Sequence, residues 1–212
     1  MTEDVILYTH PMSRGRMVRW MLEEIGRPYT TEWLLYGPAM KDPAYRAINP
    51  LGKVPAIRHG ETIVTETPAI LAYLADAFPQ AGLAPEPSAR GSYYRWLFFT
   101  AGPVESMVIN NACGFVVPDE KRGMMGYIDQ KDMLDVIEAA ITAGPFIAGD
   151  KFSAADVYVA SHLGFQMNML GMEKRQAFVD YTQRMTSREA FARAAAIDAK
   201  ALEELKAHTK SD

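Results

Sequence analysis

Ser13 and Thr67 are hydroxyl side chains at the starts of two helices in the first third of the sequence. The first turn of a helix carries N–H groups without intrahelical acceptors and the positive end of the helix dipole, so both positions favour an anion. A hydroxyl held there can help stabilise an anion. Ser and Thr are also favoured N-caps, and capping alone accounts for either residue taken singly. Glu66, next to Thr67, reads equally as a carboxylate that satisfies the dipole, and Val54-Pro55 ahead of a short apolar run as a stiff turn. Cys113 is the only cysteine. It excludes an internal disulfide and a cysteine-rich metal site, and it reads as a small packing residue rather than a nucleophile. The histidines at 10, 59, 162 and 208 have no metal-ligand spacing. No metal is expected.

The elements that must position these residues follow from periodicity. Val5 to Thr9 reads as a short buried strand ending at His10-Pro11. From Ser13 the period becomes helical, with Met17, Val18, Met21, Leu22 and Ile25 on one face. Gly26 supplies the stop and Pro28 follows it. Tyr29 to Leu35 reads as a second strand, joined to the first as a right-handed βαβ unit if the two are parallel. After an irregular stretch, Val54-Pro55-Ala56-Ile57 and Thr62-Ile63-Val64 flank the His59-Gly60 turn as a hairpin. Pro68 opens a helix through Ile70, Leu71 and Leu74 to Phe78. The order β-α-β-β-β-α closes a small α/β domain over residues 1–80.

Residues 81–88 read as a linker, and beyond them the strand signal vanishes. Residues 89–212 read as an all-helical domain. Arg90 to Ile109 forms a long aromatic helix interrupted at Gly102-Pro103, and Asp129 to Ala143 is amphipathic. Phe152-Ser153-Ala154-Ala155-Asp156-Val157 carries a capping box with a hydrophobic staple. Two or three further helices run to about Ala207, before a polar tail expected to fray.

Composition narrows the partners. The net charge is −4, and neither half has the basic excess that a nucleic-acid backbone demands. The acidic start has no secretory pattern, and no stretch approaches the ~20 apolar residues of a membrane span. The expectation is a soluble, cytoplasmic protein.

Three segments in order resemble the cytosolic glutathione transferases. They are Leu7-Tyr8-Thr9-His10-Pro11-Met12-Ser13-Arg14-Gly15-Arg16, then Asn49-Pro50-Leu51-Gly52-Lys53-Val54-Pro55-Ala56-Ile57, then Glu66-Thr67-Pro68-Ala69-Ile70-Leu71-Ala72-Tyr73-Leu74. The first is similar to the serine-type, bacterial-looking members, and the capping box at 153–156 is similar to that of the family's central helix. The resemblance implies a thioredoxin-like first domain with a helical second one, a homodimer, and glutathione as co-substrate with no other cofactor. It also implies detoxification chemistry, with thiolate attack on a small hydrophobic electrophile. The alternatives are a glutathione-dependent isomerase, dehalogenase or peroxidase on the same fold, or a non-catalytic ligand-binding protein.

Residue by residue, the resemblance makes Ser13 the activator of the thiol, with Tyr8 and His10 as second choices. Pro55 matches the family's cis-proline, and the main chain of Val54 would pair with the cysteinyl backbone of glutathione. Thr67 would hold the γ-glutamyl carboxylate and Glu66 the α-amino group. Lys53 and Lys41 are candidates for the glycyl carboxylate, or simply solvated surface charges. Tyr93, Met107, Asn110, Asn111, Phe115 and Phe165 are candidates for the electrophile pocket, and each is also a plausible core residue. Two features depart from the family pattern. Position 67 is Thr where Ser is usual. Arg14-Gly15-Arg16 resembles tyrosine-type members, and on that alignment His10 would hold the tyrosine's place. No cysteine lies near the first helix, which excludes dithiol redox chemistry.

Overall fold

The computed structural model describes residues 4–208, with the side chain of His208 excepted. The first three residues of the acidic start and the polar tail lie outside the described residues. Contacts divide the chain into two units, Met1–Ala81 with Ser187–Asp212, and Gly82–Thr186.

In the first unit, β1 (Val5–Thr9) is buried along its length, whereas β2 (Tyr29–Trp33) is mostly exposed. An apolar strand buried on both faces belongs at the centre of a sheet, and a Thr- and Glu-containing one at its edge. The four strands are accordingly ordered β2-β1-β3-β4, with β3 at Ala56–His59 and β4 at Thr62–Thr65. β1 pairs parallel with β2 and antiparallel with β3, and β3 pairs antiparallel with β4. This is the expected β-α-β-β-β-α domain. The helix α1 (Gly15–Ile25) buries Met17, Val18, Trp20, Met21 and Leu22, and Gly26 closes it in the left-handed conformation at φ 71°. The last helix of the domain, α3, is Thr67–Ala77, with Ile70, Leu71 and Leu74 inward.

Some boundaries differ from the sequence reading. The second strand ends at Trp33 rather than Leu35, and the third begins at Ala56 because Pro55 has no N–H to give a ladder. The irregular stretch between them holds a 3-10 turn at Pro38–Lys41 and a short helix α2 at Pro43–Arg46, capped by the Asp42 side chain on Ala44 N–H. Such one-turn elements have too few residues to show a period.

The second unit is helical. α4 (Gly91–Phe99) and α5 (Glu105–Ala112) are joined by a π-helical turn, Thr100–Val104, that contains Pro103. The expected interruption is thus a widened turn that accommodates a residue with no N–H. α6 spans Gln130–Thr142, α7 Ala154–Met169 and α8 Gln176–Thr186. The capping box at Ser153 and Asp156 forms as expected, and Phe152 and Val157 are both buried.

The final helix, α9 (Glu189–His208), groups with the first unit, whereas the sequence reading placed it in a domain running from 89 to 212. Its partner is α1. Arg19 Nε donates to Asp198 at 2.9 Å inside the interface, Arg188 makes a fork on Glu24 at 2.6 and 2.8 Å, and Arg193 Nε meets Glu23 at 2.9 Å. Trp20 and Phe191 pack edge to face at 5.0 Å between ring centres.

Asp156 is the polar centre of the second unit. Its buried carboxylate accepts from Ile147 N–H at 2.8 Å, Ser153 N–H at 2.9 Å, Ser153 Oγ at 3.1 Å and Tyr181 OH at 2.8 Å. It therefore pins α7 to α8 and to the segment ahead of α7. Asp156→Ala strands these donors, at about 1–3 kcal/mol for each one left unsatisfied. We expect the urea midpoint to fall by the equivalent of about 3 kcal/mol or more, and a loss below about 1 kcal/mol would contradict this role.

Candidate active site

The sheet register fixes where the chemistry-bearing segments meet. β1 ends at Thr9, so Ser13 lies just past its C-terminal end. Because β3 is antiparallel to β1, Tyr8 stands opposite Ala56, and Val54-Pro55 enters the sheet at that same end. Because β4 is antiparallel to β3, Ala56 stands opposite Thr65, and Glu66-Thr67 leaves the sheet there too. Three segments far apart in sequence therefore share one edge of the first unit, the edge where α/β folds hold ligands.

Ser13 sits in a turn rather than at the helix cap. The N-cap of α1 is Arg14, which makes no side-chain cap bond. Ser13 Oγ accepts from Gly15 N–H at 3.0 Å, donates to the His10 carbonyl at 2.7 Å, and lies 3.3 Å from Thr9 Oγ1. The side chain is half-buried, so a ligand at the edge can reach it. A side chain at position 15 would destroy this packing: a Cβ there would stand 1.8 Å from Thr9 Oγ1 and 3.0 Å from Ser13 Oγ. Glycine at 15 is what lets the first turn of α1 approach β1.

The two second choices occupy different settings. Tyr8 is buried in a cluster with Met40, Tyr45 and Ala56, its ring 5.9 Å from that of Tyr45. His10 is nearly buried, and Tyr36 covers its ring at 4.0 Å. Its Nδ1 accepts from Met12 N–H at 3.2 Å, which leaves the proton of the neutral ring on Nε2. Burial lowers the His10 pKa and favours that neutral form. Burial also raises the pKa of the Tyr36 phenol, against the opposing charge of Arg14.

The Val54-Pro55 bond is cis. The loop before it is built by Asn49, whose buried side chain donates to the Lys53 carbonyl at 2.8 Å and accepts from Leu51 N–H at 3.1 Å. Tyr45 OH also donates to the Lys53 carbonyl. Burial drives the Tyr45 pKa up to about 12, so this phenol keeps its proton as a donor. Gly52 has φ 59°, and a Cβ there would meet the Met40 carbonyl at 2.3 Å. Lys41 Nζ donates to the carbonyls of Leu51 and Gly52 at 3.3 and 3.2 Å, so it braces this loop, and the side chain of Lys53 is exposed.

At the third segment, Glu66 is the N-cap of α3 and is exposed, with φ 67° and ψ 117°, the one described non-glycine residue with positive φ. A strained backbone of this kind, of order 1–3 kcal/mol, persists where the surroundings over-determine it, and such positions cluster at binding sites. It turns the chain so that Thr67, which is buried, opens α3 with the helix N–H groups toward the sheet edge.

The six residues named for an electrophile pocket all lie in the second unit. Tyr93 and Met107 are buried in its core. Asn110 Nδ2 donates to Tyr127 OH at 2.8 Å and Asn111 Nδ2 to Gln130 at 2.7 Å, while Phe115 and Phe165 are exposed. Cys113 is free and exposed, which corrects its reading as a packing residue: α5 ends at Ala112, and the chain turns outward there. Among the described residues no His, Cys, Asp and Glu cluster could hold a metal ion, and no helix is long and apolar enough to cross a membrane. The signal that the sequence reading lacked is Thr9, a buried hydroxyl beside Ser13 that looks like any other β-branched strand residue.

Comparison with known proteins identifies the family. The model of the glutathione S-transferase N-terminal domain matches residues 12–77, and that of the C-terminal domain residues 128–196. Glutathione S-transferase GstA of Escherichia coli O157:H7 is 32% identical over 158 residues, 68% of this chain and 73% of that protein. Glutathione S-transferase F9 of Arabidopsis thaliana is 30% identical over 142 residues, and the match spans 64% of its length and 62% of this chain. A crystal structure of a glutathione transferase homolog from sulfitobacter, with bound glutathione, superposes with a TM-score of 0.70 at 26% identity, covering 93% of this chain and 98% of that one. On the match to GstA and to both domain models, this chain belongs to the glutathione S-transferase family.

Proposed function

We propose that the chain is a glutathione transferase, which binds glutathione at the shared sheet edge and presents its thiolate to an electrophilic carbon of a small hydrophobic molecule. One observation carries the reading. The antiparallel register gathers a hydroxyl at a helix start, an unpaired strand end and a second helix start within one unit. These suit the parts of a γ-glutamyl tripeptide. The pairing of β3 with β1 begins at Ala56, so the main chain of Val54 lies beyond the ladder, where a peptide can add as a strand. The N–H groups at the start of α3 and the Thr67 hydroxyl suit the γ-glutamyl carboxylate, and the exposed Glu66 carboxylate suits the adjacent ammonium. Lys53 is free to reach the glycyl carboxylate, and Lys41 acts through the loop that it braces.

Ser13 is the residue that activates the thiol. A free thiol near pKa 8.5 is mostly protonated at neutral pH, and lowering that value by ~2 units needs ~2.7 kcal/mol of preference for the anion. A hydrogen bond to a charged acceptor supplies about 1.5–3 kcal/mol, and a helix N-terminus about 0.3–1. One serine at the start of α1 is therefore sufficient. His10 serves less well, since its ring is buried and covered by that of Tyr36 at 4.0 Å. Tyr8 belongs to a packed cluster. Asn110, Asn111, Phe115 and Phe165 are the proposed contacts for the electrophile, whereas Tyr93 and Met107 are buried in the core. The protein is proposed to act in the cytoplasm as a homodimer. The exposed rings of Tyr94 and Phe98, one turn apart on α4, support a partner surface.

Two experiments test the assignment. Glu66→Ala with Thr67→Ala abolishes retention on immobilised glutathione while circular dichroism stays native, and retention at the wild-type level would contradict the binding site. Ser13→Ala raises the pKa of the bound thiol, read from thiolate absorbance across a pH series, and lowers kcat about tenfold or more, since 1.36 kcal/mol is a factor of ten. An unchanged thiol pKa would make Ser13 a turn residue only.

A further inference from the structure

Ser13 has one hydroxyl proton, and that proton is engaged. It points to the His10 carbonyl at 2.7 Å. To donate to a thiolate, the hydroxyl must rotate off this carbonyl, which weakens the turn that positions it. Thr9 is the neighbour built to absorb the change. Its side chain is fully buried at the end of β1, and its Oγ1 lies 3.3 Å from Ser13 Oγ and 3.4 Å from the His10 carbonyl. The absence of a side chain at Gly15 leaves room for it, since a Cβ at 15 would fall 1.8 Å from Thr9 Oγ1.

We infer that Thr9 is a positioning residue that donates its hydroxyl proton to the His10 carbonyl, 3.4 Å away, when Ser13 turns its own proton to the sulfur of glutathione. Two hydroxyl protons serve two acceptor positions: the second lone pair of the His10 carbonyl, whose first takes Ser13 N–H at 2.9 Å, and the thiolate. With both hydroxyls present, Ser13 releases the carbonyl and Thr9 covers the vacated position. Ser13 Oγ itself already accepts from Gly15 N–H at 3.0 Å and His10 N–H at 3.4 Å, which fills its two lone pairs, whereas the His10 carbonyl keeps only Ser13 N–H at 2.9 Å once the serine proton leaves it. Without the Thr9 hydroxyl, Ser13 must choose between the carbonyl and the sulfur. No covalent bond is made or broken by Thr9, and its effect reaches the thiol only through Ser13.

The inference rests on the proposed role of Ser13, and the experiment separates the two. The pKa of the bound glutathione thiol is measured in wild type, Thr9→Val, Thr9→Ser, Ser13→Ala and the Thr9→Val/Ser13→Ala double variant. Valine keeps the shape of threonine and removes the hydroxyl, and Thr9→Ala repeats the removal with less bulk if valine disturbs folding. Thr9→Val is expected to raise the thiol pKa by about one unit and lower kcat about tenfold, the size of one hydrogen bond lost. Thr9→Ser is expected to restore wild-type behaviour. In the Ser13→Ala background Thr9→Val should add nothing. A wild-type thiol pKa in Thr9→Val, beside a raised one in Ser13→Ala, overturns the role of Thr9 and leaves the site standing. An equal shift from Thr9→Val with and without Ser13 also overturns it, because the effect is then one of packing. An unchanged pKa in Ser13→Ala overturns the assignment of Ser13 itself.

Discussion

The antiparallel pairing of β3 with β1 is the constraint on which the site depends. Tyr8 opposite Ala56 and Ala56 opposite Thr65 bring the end of one strand, the start of the next and the end of the last to a single edge. A slip of one residue would turn every inward side chain of β3 outward. The register is held because Leu7 and Ile57, which face each other, are both fully buried. Hydrophobic burial in the sheet centre therefore decides the geometry of a polar site at its rim.

At that rim each segment is shaped by contacts that a general α/β domain does not need. Asn49 and Tyr45 converge on the Lys53 carbonyl, and Gly52 allows the Met40 backbone to pass close. Glu66 carries a positive φ at the entry to α3. Gly15 lets α1 close on Thr9 and Ser13. These features hold main-chain groups and one serine in place before any ligand arrives, which cuts the ordering cost of binding. The protein pays for them in local strain, and the buried network around Asp156 is among the elements that keep the other unit rigid.

Much of this was legible in the sequence. The change from strand to helical period at Ser13, the Gly26 stop and the Pro68 start gave the four strands, α1 and α3 to within two residues. The segments around Asn49 and Glu66 were assigned to glutathione through their resemblance to the family, one leading into a strand and the other into a helix. Other features left no local trace. α9 was read as part of the helical domain because its link to α1 depends on pairs such as Arg19 with Asp198, 179 residues apart. Ser13 was read as opening the first helix, but the hydrogen bond to the His10 carbonyl draws it into a turn, and Arg14 is the N-cap of α1. Thr9 was invisible because a threonine in a strand carries no spacing signal. Its role appears only when the missing side chain at Gly15 is seen to make space for it.

The central claim is that the sheet edge takes up glutathione and ionises its thiol. Proton release on binding measures this directly, by titration calorimetry at pH 7 in buffers of different ionisation enthalpy. A thiol of pKa near 8.5 lowered by about 2 units passes from a few per cent ionised to about three-quarters, so the account predicts release of about 0.7 proton per glutathione bound. Binding with no proton released would contradict it.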